Sequence, residues 1–181
     1  MNEMMDMRGR LTLQLIDREG RVAHEQRLRN RIVKSGRDLV AKLFAGVPGG
    51  ALPSRVTHMA VGINPTPEAD DQTALLGERS PRKEILPADV VYSDFTESGT
   101  IGTLVSPTGP ASTDRVVGGV RRVRVTLKTV FDFNEANGPE PLREAGIFNA
   151  SAAGVMYNRV VFDAVTKTNA FKLTLIWDIT F

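Results

Sequence analysis

Cysteine is absent from all 181 residues, which excludes disulfides, thiol nucleophiles and thiolate zinc sites. Histidine is scarce: His24 and His58 are the only two. That is too few for a histidine-rich metal centre, and their spacing implies no triad, so both are read as structural or solvated. Neither sign of charge is in large excess. Lys and Arg number 23 against 21 Asp and Glu, a net +2, which is no electrostatic footprint for nucleic acid. No apolar run approaches the roughly 20 residues of a membrane-spanning helix. The opening MNEMMDMRGR is charged and lacks an apolar core, so neither a Sec leader nor a membrane partner is expected. Phosphate-binding loops, G-x-S-x-G elbows, H-E-x-x-H helices and EF-hand loops are all missing. No enzyme is expected, and with it no catalytic residue, cofactor or metal site.

What is present is alternation. Leu11, Leu13 and Leu15 face one way and Thr12 and Gln14 the other. Asp17 to Gly20 reads as a turn and Val22 to Leu28 as the returning strand of a hairpin. One helix is predicted over about 35–45. Ser35 is its N-cap, with Asp38 three residues on; Leu39, Val40, Leu43 and Phe44 form its apolar face, and Gly46 and Pro48 end it. Arg55–Ile63 reads as a strand and Thr73–Leu76 as a single helical turn. Residues 82–95 read as a strand interrupted at Pro87. Residues 96–119, rich in Gly, Ser, Thr and Pro, form a long loop. The last third is strand-like over 123–133, 142–149, 155–163 and 171–181, with Leu173, Leu175, Trp177, Ile179 and Phe181 on the core phase. The expected fold is mainly β: an antiparallel β-sandwich with one packed α-helix and a projecting N-terminal β-hairpin. Residues 1–28 would be an arm and hairpin, and residues 29–181 the sandwich domain.

Three clusters carry charge. Glu68-Ala69-Asp70-Asp71 offers oxygen ligands for a hard cation but lacks the spacing and glycine of a dedicated loop, and is read as a solvated loop. Two basic tracts follow: Arg27, Arg29, Arg31, Lys34 and Arg37, then Arg115, Arg121, Arg122 and Arg124. Aromatic residues do not interleave with either, so a platform for single-stranded nucleic acid is not expected. The tracts are read as a solvated strand face or as inter-subunit ion pairs.

The order of several segments carries a resemblance. Asn30-Arg-Ile-Val-Lys-Ser-Gly36 leads into the helix. Val56-Thr-His-Met-Ala-Val-Gly62 and Thr73-Ala-Leu-Leu-Gly-Glu78 follow. Arg143-Glu-Ala-Gly-Ile-Phe148 and Met156-Tyr-Asn-Arg159 come next, and a strand closes on Trp177-Asp-Ile-Thr-Phe181. Over about 30–181 this resembles small tailed-phage virion proteins, and the N-terminal attachment domain of phage tail-collar fibre proteins. Where such proteins often carry Gly-x-Gly, this chain has Gly62-Ile63-Asn64; it adds the hairpin at 9–28, and no fibre shaft is expected after Phe181.

The resemblance implies a non-enzymatic structural subunit of a phage or phage-derived particle, located in the virion. Its place would be the tail, baseplate or fibre-attachment region. Its partners would be other virion proteins and its own copies in a symmetric assembly. Capsid decoration is the alternative. A carbohydrate-binding β-sandwich module is a third reading, weakened because Trp177 falls on a buried phase. Assembly contacts are expected at Leu11, Leu13 and Leu15, which need a cover from this subunit or a neighbour, and at Arg115, Arg121 and Arg122 beside the 96–119 loop. Glu144 is a candidate for an ion pair with Arg143, Arg159 or a neighbouring subunit, or else an exposed strand residue.

Overall fold

A computed structural model describes residues 7–97 and 120–181. These form nine strands and one α-helix: β1 (Arg8–Ile16), β2 (Val22–Ile32), α1 (Lys34–Ala45), β3 (His58–Gly62), β4 (Glu78–Glu84), β5 (Val90–Glu97), β6 (Val120–Phe131), β7 (Leu142–Phe148), β8 (Met156–Val165) and β9 (Lys172–Thr180). A 3-10 turn at Pro87–Asp89 separates β4 from β5, where proline was expected to interrupt a strand. Every neighbouring pair is antiparallel, in the order β4-β3-β7-β8-β2-β1-β9-β6-β5.

Strand β2 joins two layers. Val22 to Asn30 pair with β1, and the last two residues, Arg31 and Ile32, pair with Arg159 and Asn158 of β8. One layer is β2-β1-β9-β6-β5 and the other β8-β7-β3-β4. Their inner faces share one apolar core, in which Leu13, Leu175 and Trp177 meet Met59, Val61 and Ile147. Thr129 of β6 donates its hydroxyl to the Met59 sulfur of β3 at 3.3 Å, bridging the layers. The chain is thus an antiparallel β-sandwich carrying one packed helix, as the alternation predicts. Trp177 is fully buried.

Four local expectations are corrected. The hairpin does not project. β1 lies between β2 and β9, paired with β9 from Arg8↔Thr180 to Ile16↔Lys172. Two-stranded hairpins are marginal in water, and pairing both edges of β1 satisfies its backbone while burying its leucines. The helix is capped two residues earlier than expected, by Val33 instead of Ser35, and has no side-chain cap. Ser35 instead donates to the Met156 carbonyl at 2.8 Å, fastening α1 to β8. Gly36 permits that approach, since a Cβ there would lie 1.9 Å from the Tyr157 carbonyl oxygen. Only the first half of the helix therefore packs: Leu39 is buried, whereas Leu43 and Phe44, expected on the same apolar face, are 41% and 92% exposed. Finally, residues 73–76 are not helical; the next section gives the reason.

Candidate functional site

Two constellations stand out, one buried and one exposed. The buried one is built on Glu144 of β7 and Arg159 of β8, both 0% exposed. Arg159 Nε donates to Glu144 Oε2 at 2.8 Å. Of the options for Glu144, the structure selects Arg159 of its own chain. Antiparallel register explains the choice: Arg159 sits opposite Gly146, two residues along β7 from Glu144, so the two side chains lie on one face as diagonal neighbours.

The carboxylate does more than pair. Its two oxygens accept the backbone N–H groups of Gly77 at 2.7 Å, Leu76 at 3.2 Å and Asn64 at 3.4 Å. Those contacts hold residues 73–77 in a bend rather than a helical turn. Gly62 lies opposite Glu144 in the β3–β7 register, and a Cβ there would sit 2.5 Å from Glu144 Oε1. Arg159 Nη1 extends the network to the Thr66 carbonyl at 2.9 Å and to Gln72 Oε1 at 3.1 Å. One ion pair thus ties together the segments ending at Gly62, Glu78, Phe148 and Arg159.

The neighbouring acids are also committed within the chain. Asp70 takes both Arg37 guanidinium nitrogens at 2.9 and 2.8 Å, and this holds its carboxyl below the usual carboxylate range. Its carbonyl accepts from Lys34 N–H at the start of α1. Glu68 accepts from Val161 N–H at 2.6 Å. His24 bonds to Gln26 and His58 to Thr57, on strands that are not neighbours.

The exposed constellation lies on the outer face of the β2-β1-β9-β6-β5 layer. Residues paired across antiparallel strands share a face. The register sets Arg29 opposite Arg10, and Arg10 opposite Asp178. Farther along, Arg124 lies opposite Thr180, and Arg122 opposite Phe95. The two basic tracts, far apart in the chain, therefore meet on one surface. They border a recess of about 630 Å³ that Arg8 and Asn30 also line. The Arg124 guanidinium lies over the Phe95 ring, 4.5 Å from its centroid. Thr126 donates to Asp178 at 2.5 Å, holding the one acid among the described residues that line the recess.

Of the expected assembly contacts, Leu11, Leu13 and Leu15 are 0%, 0% and 6% exposed. Their cover is the chain's own second layer, which takes them out of reach of a neighbour. Arg122 lines the recess. Arg115 and most of the 96–119 loop lie outside the described residues, as does the Arg121 side chain. Sequence reasoning missed Arg8 and Arg10. The signal was there, because even positions of β1 must face away from Leu11, but it required knowing that β1 lies between the two basic strands. No helix among the described residues is long and apolar enough to cross a membrane. No protein-family model, curated protein or solved structure matches the chain.

Proposed function

We propose that this chain is a non-enzymatic assembly subunit of a tailed phage or phage-derived particle, acting in the tail, baseplate or fibre-attachment region. The observation that carries this reading is the Glu144–Arg159 knot. The segments that resemble those of tail-collar attachment domains come from distant parts of the chain, and four of them meet at one buried ion pair. Their order in the sequence thus has a common physical cause: each supplies a donor, an acceptor or a glycine to the same network. The Glu144 carboxylate oxygens and the Nε and Nη1 atoms of Arg159 are taken up by partners within the chain, which supports a scaffold role over catalysis.

The test is biochemical. Particles are purified from a producing strain by density centrifugation, and the chain is sought with an antibody in the intact particles and in separated heads and tails. The proposal expects it in the tail fraction. Its presence on heads alone would move the assignment to capsid decoration, and its absence from particles would overturn the virion role.

A further inference from the structure

We infer that Asn137 is a site of spontaneous covalent modification, where the side-chain amide is converted into a carboxylate that pairs with Lys167. The inference stands apart from the virion reading, since it concerns the chemistry of one loop and is tested on the isolated chain.

The reactive pair is Asn137-Gly138, the only Asn-Gly step in the chain. It lies in the connection between β6 and β7, outside regular structure, and Asn137 is half-buried, so part of it stays within reach of water. The Gly138 nitrogen attacks Asn137 Cγ, with no Cβ on glycine to obstruct the five-membered ring. The new N–Cγ bond forms as the Gly138 N–H proton passes to water. The Cγ–Nδ2 bond then breaks, and Nδ2 takes up a proton and leaves as ammonia. Water adds to one carbonyl of the cyclic imide and breaks its bond to nitrogen, which leaves aspartate or isoaspartate. In sum, amide and water give carboxylate and ammonium, and nothing is oxidised or reduced.

The fold sets a cation beside each atom where negative charge builds up. Lys167 Nζ donates to Asn137 Oδ1 at 2.9 Å, and so meets the oxyanion that forms when Cγ is attacked. Arg79 lies against Gly138, where a Cβ would be 2.6 Å from the guanidinium carbon. A cation so close favours the deprotonated form of its neighbour, here the Gly138 nitrogen. Both placements are fastened. Arg79 donates to the Ala136 carbonyl at 3.4 Å, and to the Glu140 carbonyl and carboxylate at 3.1 and 3.3 Å. Asn137 Nδ2 donates to the Phe133 carbonyl at 2.8 Å, which keeps Oδ1 turned to Lys167.

The product also answers an imbalance. Lys167 is 1% exposed. Besides Asn137, its acceptors among the described residues are the carbonyls of Asp132 at 3.0 Å, Phe133 at 3.3 Å and Thr168 at 3.1 Å, all uncharged. A buried charge without a counter-ion is costly, and burial holds the Lys167 pKa below the usual lysine range, against the pull of Asp132 and Glu135. A carboxylate at 137 brings the missing charge to hydrogen-bond distance. Nζ bonds to the Phe133 carbonyl as well, so it stands between that oxygen and the new carboxylate.

The experiment holds the full chain in mildly alkaline buffer and follows position 137 by peptide mapping with mass spectrometry, which separates amide, imide, aspartate and isoaspartate. Conversion should be about tenfold or more faster in the folded chain than in a free peptide of residues 132–141, as a barrier lowered by the two cations requires. This comparison needs no variant. A fold that merely restrained the step would slow it, so slower conversion than in the peptide, or none, would overturn the inference. Lys167→Met removes the donor to Oδ1 and should slow conversion about tenfold or more. Unchanged or faster conversion would show that Lys167 only restrains the loop, and would overturn its part in the reaction. Asn137→Asp carries the product charge from the outset. Its urea midpoint should lie above that of wild type, and Lys167→Met should abolish the gain; a midpoint at or below wild type would overturn the pairing with Lys167.

Discussion

Replacing Glu144 by glutamine tests the architecture most directly. Glu144→Gln keeps the side-chain shape and one carbonyl oxygen, which still accepts from the backbone. It removes the charge that balances Arg159, whose guanidinium is buried at 0% exposure. Breaking a buried ion pair by removing one partner costs about 3–5 kcal/mol, because the remaining charge stays desolvated. Domains of this kind have about 5–15 kcal/mol of stability in all, so the substitution should take a large share. Glu144→Ala should cost more, since the N–H groups of Asn64, Leu76 and Gly77 would lose their acceptor as well. The double variant Glu144→Gln with Arg159→Met should cost less than the two single changes added together, with a coupling of about 1–3 kcal/mol. Urea unfolding followed by the fluorescence of Trp177, the only tryptophan, reads each value from the midpoint at unchanged slope. Hydrogen exchange at Leu76 and Gly77 should accelerate in parallel. A Glu144→Gln cost below about 1 kcal/mol, or strict additivity in the double variant, would show that the carboxylate is not the tie described here.

Three further outcomes are expected. Trp177→Ala should destabilise by about 3–5 kcal/mol, because a large aromatic leaves a cavity that the two layers close only partly; a cost under about 1 kcal/mol would contradict its burial. Phe44→Ser should stay within about 0.5 kcal/mol of wild type, since this side chain is 92% exposed, and a larger loss in urea titrations would place it in a contact. The carboxyl of Glu135 is held below its usual range, chiefly by the hydrogen bond from Lys83, as that of Asp70 is by Arg37. A carboxyl with a depressed folded pKa stabilises fully above the unfolded range near pH 4 and loses that contribution as pH falls through the folded value. The urea midpoint should therefore drop between about pH 5 and 3, and less steeply in Glu135→Gln; identical pH profiles would refute this account.

Much of the fold was legible in one dimension. Strand periodicity is a local property, so the core phase of β1 and β9 could be read from alternate residues, and Trp177 was placed correctly by that count alone. Proline and glycine are local too: Pro87 separates β4 from β5, and Gly46, at φ 79°, ends the helix where expected. The remaining decisions belonged to the tertiary structure, because they turn on which strand lies beside which. Arg8 and Arg10 join Arg29 and Arg124 only because β1 and β9 are inserted between β2 and β6. Glu144 chooses Arg159 over the adjacent Arg143 because neighbours along a strand point to opposite faces, while diagonal cross-strand neighbours share one. Leu43 and Phe44 have helical spacing suited to burial, yet α1 touches β8 through Ser35 and Gly36 and leaves those two uncovered. Helical periodicity says which residues lie on one face, and only the packing of that face against another element decides whether they are buried.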